Sequence, residues 1–527
     1  MKKLITSFIF LLSFTLTLQA QDFTVASGKT VTIARSGSLT VGGAFSNSGT
    51  VTLNSDSIEF AVIKVSGTSS GNITYNRWVN QVGSGDWDLI GSPVSGQTIS
   101  NFVSVNTAGD DDLATDGVQY AVGVYDNSDD TWDNYTSNGT GAGNVSGAGS
   151  FDIGKGYAMA SVAGGSTLAF TGTISTSNET QAITDNDAAN SGAGRIWNLV
   201  ANPYPSYLNV NTNADGSNNF LTVNIAADNL HDTYASVYGY DADGSGYTIY
   251  NHSSSATYLA PGQGFMVASD DSVGTTISFT EAMQTTSGSD DFIAGDTMDD
   301  VYEVLLRLYH GDQEIEETRL YFENGLNLGL DPGYDAGAFD ENAALMTRLV
   351  EEDEGYGLAI NAMSTEDMDD VVIPLEINQT SGQEFRINLH ASSIGEVNIY
   401  LEDTELETLT LLNEEDFVMT PTSDLSDAGR FYIHLTADTL SNEEINTSIL
   451  NAYKEVNANY ITIEGLATQA TNTEVSLYNI LGTKVLDTTL DNTANTQTIS
   501  TNGFATGIYV LKLASGKNQL TKKLIIK

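Results

Sequence analysis

At 527 residues the chain is too long for one core, because single cores stop growing near roughly 250–300 residues, so several domains are expected. It has no cysteine, which excludes disulfides, thiolate metal sites and a cysteine nucleophile. Its 68 Asp and Glu against 20 Lys and Arg leave a formal charge of −48, which repels phosphate-rich partners and so excludes nucleic acid as a ligand class.

Lys2 and Lys3 precede an apolar run from Leu4 to Leu18, and Gln19-Ala20-Gln21 offers a small residue for cleavage. Residues 1–20 are therefore expected to be a signal peptide cut after Ala20. The run is too short, and too interrupted by Ser7, Ser13, Thr15 and Thr17, for a retained membrane anchor. Beyond it, short runs rich in Val, Ile, Thr, Tyr and Phe alternate with polar residues between Gly-containing turns, and helical spacing is scarce. The expected fold class is all-β and multi-domain, with tandem β-sandwich-like units.

Residues 21–65 repeat one pattern in Thr30-Val-Thr-Ile33, Ser38-Leu-Thr-Val41 and Thr50-Val-Thr-Leu53, which predicts a few rungs of a solenoid or a small meander. A longer duplication follows, read as one β unit over 66–180 and a second over 190–285. Trp87-Asp-Leu-Ile-Gly-Ser-Pro93 matches Trp197-Asn-Leu-Val-Ala-Asn-Pro203, Val124-Tyr-Asp126 matches Gly239-Tyr-Asp241, Ile153-Gly-Lys-Gly-Tyr157 matches Pro261-Gly-Gln-Gly-Phe265, and Leu168-Ala-Phe170 matches Ile277-Ser-Phe279. Four blocks in one order predict a common fold, with Trp87 and Trp197 at equivalent buried positions.

Before Glu303, glutamate occurs only at Glu59, Glu179 and Glu281; from about 286 onward Glu and Asp crowd together. That shift marks an acidic domain over 286–440, whose alternating segments Tyr302–Leu308, Phe385–Leu389, Val397–Leu401 and Arg430–Leu435 suggest a sandwich. Residues 441–454 are expected to be a linker or short helix. The stretch 455–527 predicts a small β-sandwich or meander, and its charge reverses: six Lys stand against Asp487 and Asp491 between 484 and 527.

This last stretch carries Tyr478, Asn479, Gly482 and Val485, then Gly507 and Tyr509, then Lys522, Lys523 and Ile525. The pattern resembles the type A C-terminal sorting domain of the type IX (Por) secretion system of the Bacteroidota, with Phe504 in place of the usual leucine before the Gly-x-Tyr element. The resemblance implies recognition at the outer membrane by the type IX machinery, removal of the domain, and release of the cargo or its attachment to surface lipopolysaccharide. Lys522 and Lys523 are expected to offer an exposed basic recognition surface. Upstream, Trp197–Ser206, Pro261–Phe265, Tyr400–Asp403 and Gly429–Phe431 are similar to modules that often precede this sorting domain in large exported surface proteins.

Signs of catalysis are few. His231, His252, His310, His390 and His434 lie far apart in sequence, with no His-Glu-x-x-His spacing, and no Gly-x-Ser-x-Gly elbow occurs. No catalytic residue and no cofactor is assigned. Two aspartate clusters have the alternating oxygen ligands that calcium takes, Asp110-Asp-Asp112 with Asp116, and Asp241 with Asp243. The same pattern is ordinary turn chemistry, so calcium is carried as a secondary expectation at Asp241 and Asp243. The body is expected to be a non-enzymatic adhesion, matrix or binding module on the cell surface or in the medium, contacting extracellular glycans or matrix. The alternative is a secreted polysaccharide-degrading enzyme or its carbohydrate-binding accessory.

Overall fold

The computed structural model describes residues 17–526 apart from 82–86, 109–111, 163, 187–194, 242–245, 270–274, 287, 289–301, 341, 396, 427, 438–449, 455–458, 480–482 and 517. It is all-β and multi-domain, with two short α-helices among the described residues. Among the described residues no helix is long and apolar enough to cross a membrane. The chain divides into two compact units. One contains residues 1–229, 237–250 and 256–296, and the other contains 230–236, 251–255 and 297–527.

The first unit begins with three coils of a β-solenoid. Strands Thr17–Ala20, Ser38–Val41 and Val62–Val65 pair in parallel along one wall. Phe23–Val25, Phe45–Asn47 and Ser69–Ser70 form the second wall. Thr30–Ile33, Thr50–Asn54 and Ile73–Val79 form the third. A meander would pair antiparallel; parallel pairing makes these strands successive rungs. Alternation sends Leu39, Val41, Val51, Leu53, Ile63, Val65 and Tyr75 inward. At one corner Gly67 sits directly on Gly43, where any Cβ would collide with the carbonyl below. The third coil runs past the boundary expected at residue 65, and Thr17–Ala20, expected in the leader, forms the first rung.

Two copies of one topology follow. The first contains strand Asp88–Ile90, helix Ile99–Asn106, and strands Gln119–Asp126, Thr131–Thr136, Tyr157–Met159 and Ser166–Gly172. The second contains Trp197–Ala201, helix Phe220–Ala226, and strands Val237–Asp241, Gly246–Tyr250, Gly264–Ala268 and Thr275–Phe279. Both sheets share one strand order, with the Tyr157–Met159 or Gly264–Ala268 strand inserted between the first strand and the hairpin. The register agrees too: Leu89 opposes Ala158 as Leu199 opposes Met266, and Tyr125 opposes Trp132 as Tyr240 opposes Tyr247.

Each helix is tied to the copy's last strand by an asparagine. Asn106 Nδ2 donates to Phe102 O and Ala169 O, while its Oδ1 accepts from Ala169 N–H. Asn224 repeats this with Phe220 and Ser278. The expected equivalence of Trp87 and Trp197 fails in one respect. Trp197 is buried against Tyr238, with ring centroids 4.7 Å apart, whereas Trp87 is half-buried. Gly123 stands in the first copy where the second has Tyr238, so Trp87 has no ring to pack on there.

The copies meet through reciprocal contacts. Ile90 bridges Gln263 and Val200 bridges Lys155; Gly91 N–H donates to Gly262 O and Ala201 N–H to Gly154 O, both at 2.8 Å. Ile90 and Val200, Lys155 and Gln263, and Gly91 and Ala201 are equivalent pairs, so the contact has local two-fold character.

In the second unit, the acidic region forms a single eleven-stranded sheet. It curls on itself: Phe417 lies at one edge and Phe431 near the opposite edge, yet their rings are 5.9 Å apart. Val304, Leu306, Leu320, Ile373, Leu375, Ile399 and Ile433 fill the enclosed core. The terminal region pairs Asn451–Tyr453, Tyr460–Glu464 and Gln497–Ser500 in one sheet. Lys484–Leu490, Thr473–Asn479, Gly507–Ser515 and Asn518–Ile526 form the facing one. The two enclose Ala452, Ile461, Ile463, Val475, Leu477, Leu511, Leu513 and Leu524. Asn451–Tyr453 falls in the stretch expected to be linker, and it is a strand because it completes the smaller sheet against Tyr460–Glu464. Residues 441–449 of that stretch lie outside the described residues.

Candidate functional site: the C-terminal β-sandwich

The motif residues occupy both faces of the four-stranded sheet. Tyr478 faces away from the core, with the ammonium groups of Lys484 and Lys512 at 5.7 and 6.0 Å from its ring centre. Asn479 is bonded twice to Thr483: its N–H donates to Thr483 O and its Oδ1 accepts from Thr483 N–H. Gly482 lies outside the described residues. Val485, on strand Lys484–Leu490, is 36% exposed. Gly507 starts strand Gly507–Ser515, and Tyr509 turns inward, its hydroxyl donating to Ala505 O at 2.7 Å. Phe504, in the position expected for leucine, packs its ring 6.0 Å from that of Tyr509.

The basic end differs from the expectation. Along Asn518–Ile526 alternate residues face inward, so Lys522 joins Leu524 and Ile526 on the inner face while Lys523 and Ile525 face out. Lys522 is only 6% exposed, and its Nζ donates to Asn451 Oδ1 at 3.0 Å. Burial pushes its ammonium below the ordinary lysine value, against the pull of Asp353, Glu464 and Glu351. Lys523 reaches Glu352 at 2.6 Å. The exposed lysines of this sheet are instead Lys484, Lys512 and Lys523. Period-two alternation in the final strand was the signal in the sequence that could have shown this.

For the calcium candidates, Asp243 lies outside the described residues and the backbone of Asp241 ends strand Val237–Asp241. Its counterpart Asp126 accepts Ser128 N–H at 2.9 Å, as an Asx turn does. Asp110 and Asp111 lie outside the described residues. Asp112 accepts the Ser166 hydroxyl, and Asp116 caps the N–H groups of Val118 and Gln119, which hold its carboxyl below the usual range. Among the described residues no three His, Asp or Glu side chains gather as metal ligands would.

Two acids are pushed up to about 7 by burial, Glu316 and Asp335. Asp335 accepts Ala362 N–H on Oδ1 and Asp331 N–H on Oδ2, both at 2.7 Å, so it ties its own loop to strand Leu358–Met363. His434 bonds Glu402 at 2.7 Å, and His310 sits between Gln379 and Gln383. The first contact joins the neighbouring strands Asn398–Asp403 and Phe431–Thr436, and the second ties strand Tyr302–His310 to the segment between Asp370–Ile377 and Phe385–Ser392.

A terminal β-sandwich bearing this motif, at the end of a chain built from β units, defines cargo of the type IX secretion system. Residues 457–527 match the family model of the secretion system C-terminal sorting domain, and the protein is exported by that system, to be secreted or attached to the cell surface. Residues 6–435 match a second model, a domain of unknown function (DUF8693), and the chain belongs to that family. One family thus spans the solenoid, both copies and the acidic sheet. No curated protein matches the chain.

Proposed function

We propose that the exported body is a non-catalytic adhesion module that binds extracellular glycans. One observation carries this reading: each copy of the repeated unit presents an aromatic pair at the same register of its hairpin. Tyr125 and Trp132 lie 5.0 Å apart and Tyr240 and Tyr247 5.4 Å apart. Trp132 is 44% exposed. Asp130 accepts the Tyr125 hydroxyl at 2.8 Å and pairs with Arg195 at 3.2 Å; burial pushes the Tyr247 hydroxyl up, with Tyr240 and Asp130 adding to it. Half-exposed rings beside hydroxyl, carboxylate and guanidinium groups suit the apolar faces and hydroxyl edges of sugars. Two such pairs in one chain favour repeated ligands, because linked weak contacts gain avidity.

The test is a screen of the purified protein against immobilised glycans and matrix proteins, with Trp132→Ala and Tyr247→Ala beside it. Glycan retention that falls at least tenfold in the double variant supports the reading. Release of reducing sugar from a polysaccharide by the wild-type protein would establish the hydrolase alternative. Binding that is indifferent to both substitutions would remove the hairpins from consideration.

A further inference from the structure

The final strand of the sorting domain turns a lysine inward at the end of its core, which calls for a compensating environment. That environment comes from both the acidic sheet and the terminal sandwich, which share one compact unit. From the acidic sheet come Arg348, whose Nε donates to Glu376 at 2.7 Å, and the buried Asp353. From the terminal sandwich come Asn451, Tyr453, Glu464 and Lys522. The Arg348 guanidinium lies 5.4 Å from the Tyr453 ring centre, and the Tyr453 hydroxyl donates to Glu464 Oε1 at 2.9 Å. Glu464 is fully buried, and it approaches so near Gly429 that a Cβ at that position would collide with its carboxylate. Gly429, with φ +116°, thus provides both an unusual backbone and the space for the partner's acid. At the rim, Lys523 pairs with Glu352.

We infer that the acidic domain carries a docking surface for the sorting domain, built on Arg348, Gly429 and Asp353, which retains residues 450–527 non-covalently after the connecting chain is cut. Three features support it. The buried cations Arg348 and Lys522 are interleaved with the buried acids Glu376, Asp353 and Glu464, so the seam is close to charge-balanced within a strongly acidic chain. Three contacts cross the seam, Arg348 over the Tyr453 ring, the Glu464 carboxylate over Gly429 and Lys523 with Glu352, and a surface without these partners is rejected because an unpaired buried charge is costly. Finally, a seam made of ions leaves both halves soluble when they part, as a reversible contact requires. Removal of the domain is then two events, cutting and undocking, and only the second exposes the Arg348 face.

The experiment uses the full-length protein with a specific protease site placed within residues 441–449. After cleavage the mixture is run on size exclusion, and the terminal fragment is followed by mass. The expected result is co-elution of the fragment with the body, and at least tenfold weaker retention in Lys522→Met and separately in Arg348→Met. Arg348→Met leaves the sorting domain's own core untouched, so loss of retention there is not misfolding of the fragment. Lys484→Ala, on the opposite side of the terminal sandwich, should retain the fragment as the wild type does. Separation of the wild-type fragment on cutting, or equal retention in both seam variants, overturns the inference.

Discussion

The repeated β units meet through main chain and glycine: Ile90 against Gln263, Val200 against Lys155, with Gly91, Gly156 and Gly264 each approached within Cβ distance by the other copy. The acidic sheet meets the terminal sandwich through Arg348, Tyr453, Glu464 and Lys522. The first contact is made by main chain where glycine leaves room, and Lys155 takes part in it through its backbone rather than its charge. The second depends on particular ionised groups and is specific to them. A junction of the first kind is insensitive to pH and salt but intolerant of added volume; a junction of the second kind is sensitive to pH and salt, and at Gly429 it is intolerant of added volume as well.

The largest effect expected from breaking this contrast is at Arg348. Arg348→Met leaves Glu376 and Asp353 buried without their cation and should destabilise the second unit by about 3–5 kcal/mol in denaturant unfolding. Arg348→Met combined with Glu376→Met should recover a substantial part of that loss; a double variant no better than the single would mean that shape, not charge, holds the seam. Next is Gly264→Val, which drives a branched side chain into the backbone of Leu89, 2.7 Å from the Cβ position. Roughly 3 kcal/mol should be lost from the first unit, with no change between low and high salt. A loss below about 1 kcal/mol would show that the copies can slide apart without cost.

Smaller, and sharper as a comparison of the two copies, are Asn106→Ala and Asn224→Ala. Each removes an amide with three backbone hydrogen bonds, at a cost of about 1–3 kcal/mol. If the copies are mechanically equivalent the two losses should agree within about 0.5 kcal/mol; a much larger gap would mean that one helix carries the unit.

The smallest effect is a pH slope. Asp335 is raised from 3.8 to about 7, so its protonated form is favoured by folding. Its contribution is fully present below pH 3.8 and is lost as pH rises to about 7. Glu316, raised from 4.5 to about 7, acts in the same direction. His252, lowered from 6.5 to about 4 by burial, acts oppositely between those values. Two acids outweigh one histidine, so stability should fall on balance as pH rises from about 4.5 to about 7. Asp335→Asn should be less stable throughout but show a shallower fall; an unchanged slope would place the titration elsewhere.

The duplication was readable because four sequence blocks carry the strands that set register, and the sorting motif because its turn and strand residues are spaced by the same geometry. The contact between the copies was not readable, since Gly91, Gly154 and Gly262 look like turn glycines until their partners are known. Helix Ile99–Asn106 has Ile99, Phe102, Val103 and Asn106 on its buried face, a helical spacing. Its Ser, Asn and Val residues are weak helix formers, which hid it among strands. The inward turn of Lys522 was concealed by its charge. A lysine next to a second lysine reads as surface, and only the acids and the asparagine brought from distant positions make burial possible.

The reciprocal contact between the copies has a consequence for a protein that leaves the cell. A self-complementary patch of this kind, on separate chains, makes a homodimer whose survival depends on concentration. Outside the cell, dilution has no lower bound, and such a dimer would fall apart. Joining both halves in one polypeptide replaces bulk concentration by a fixed local one, on the order of millimolar for a short connection. The pair therefore stays assembled however few molecules are present.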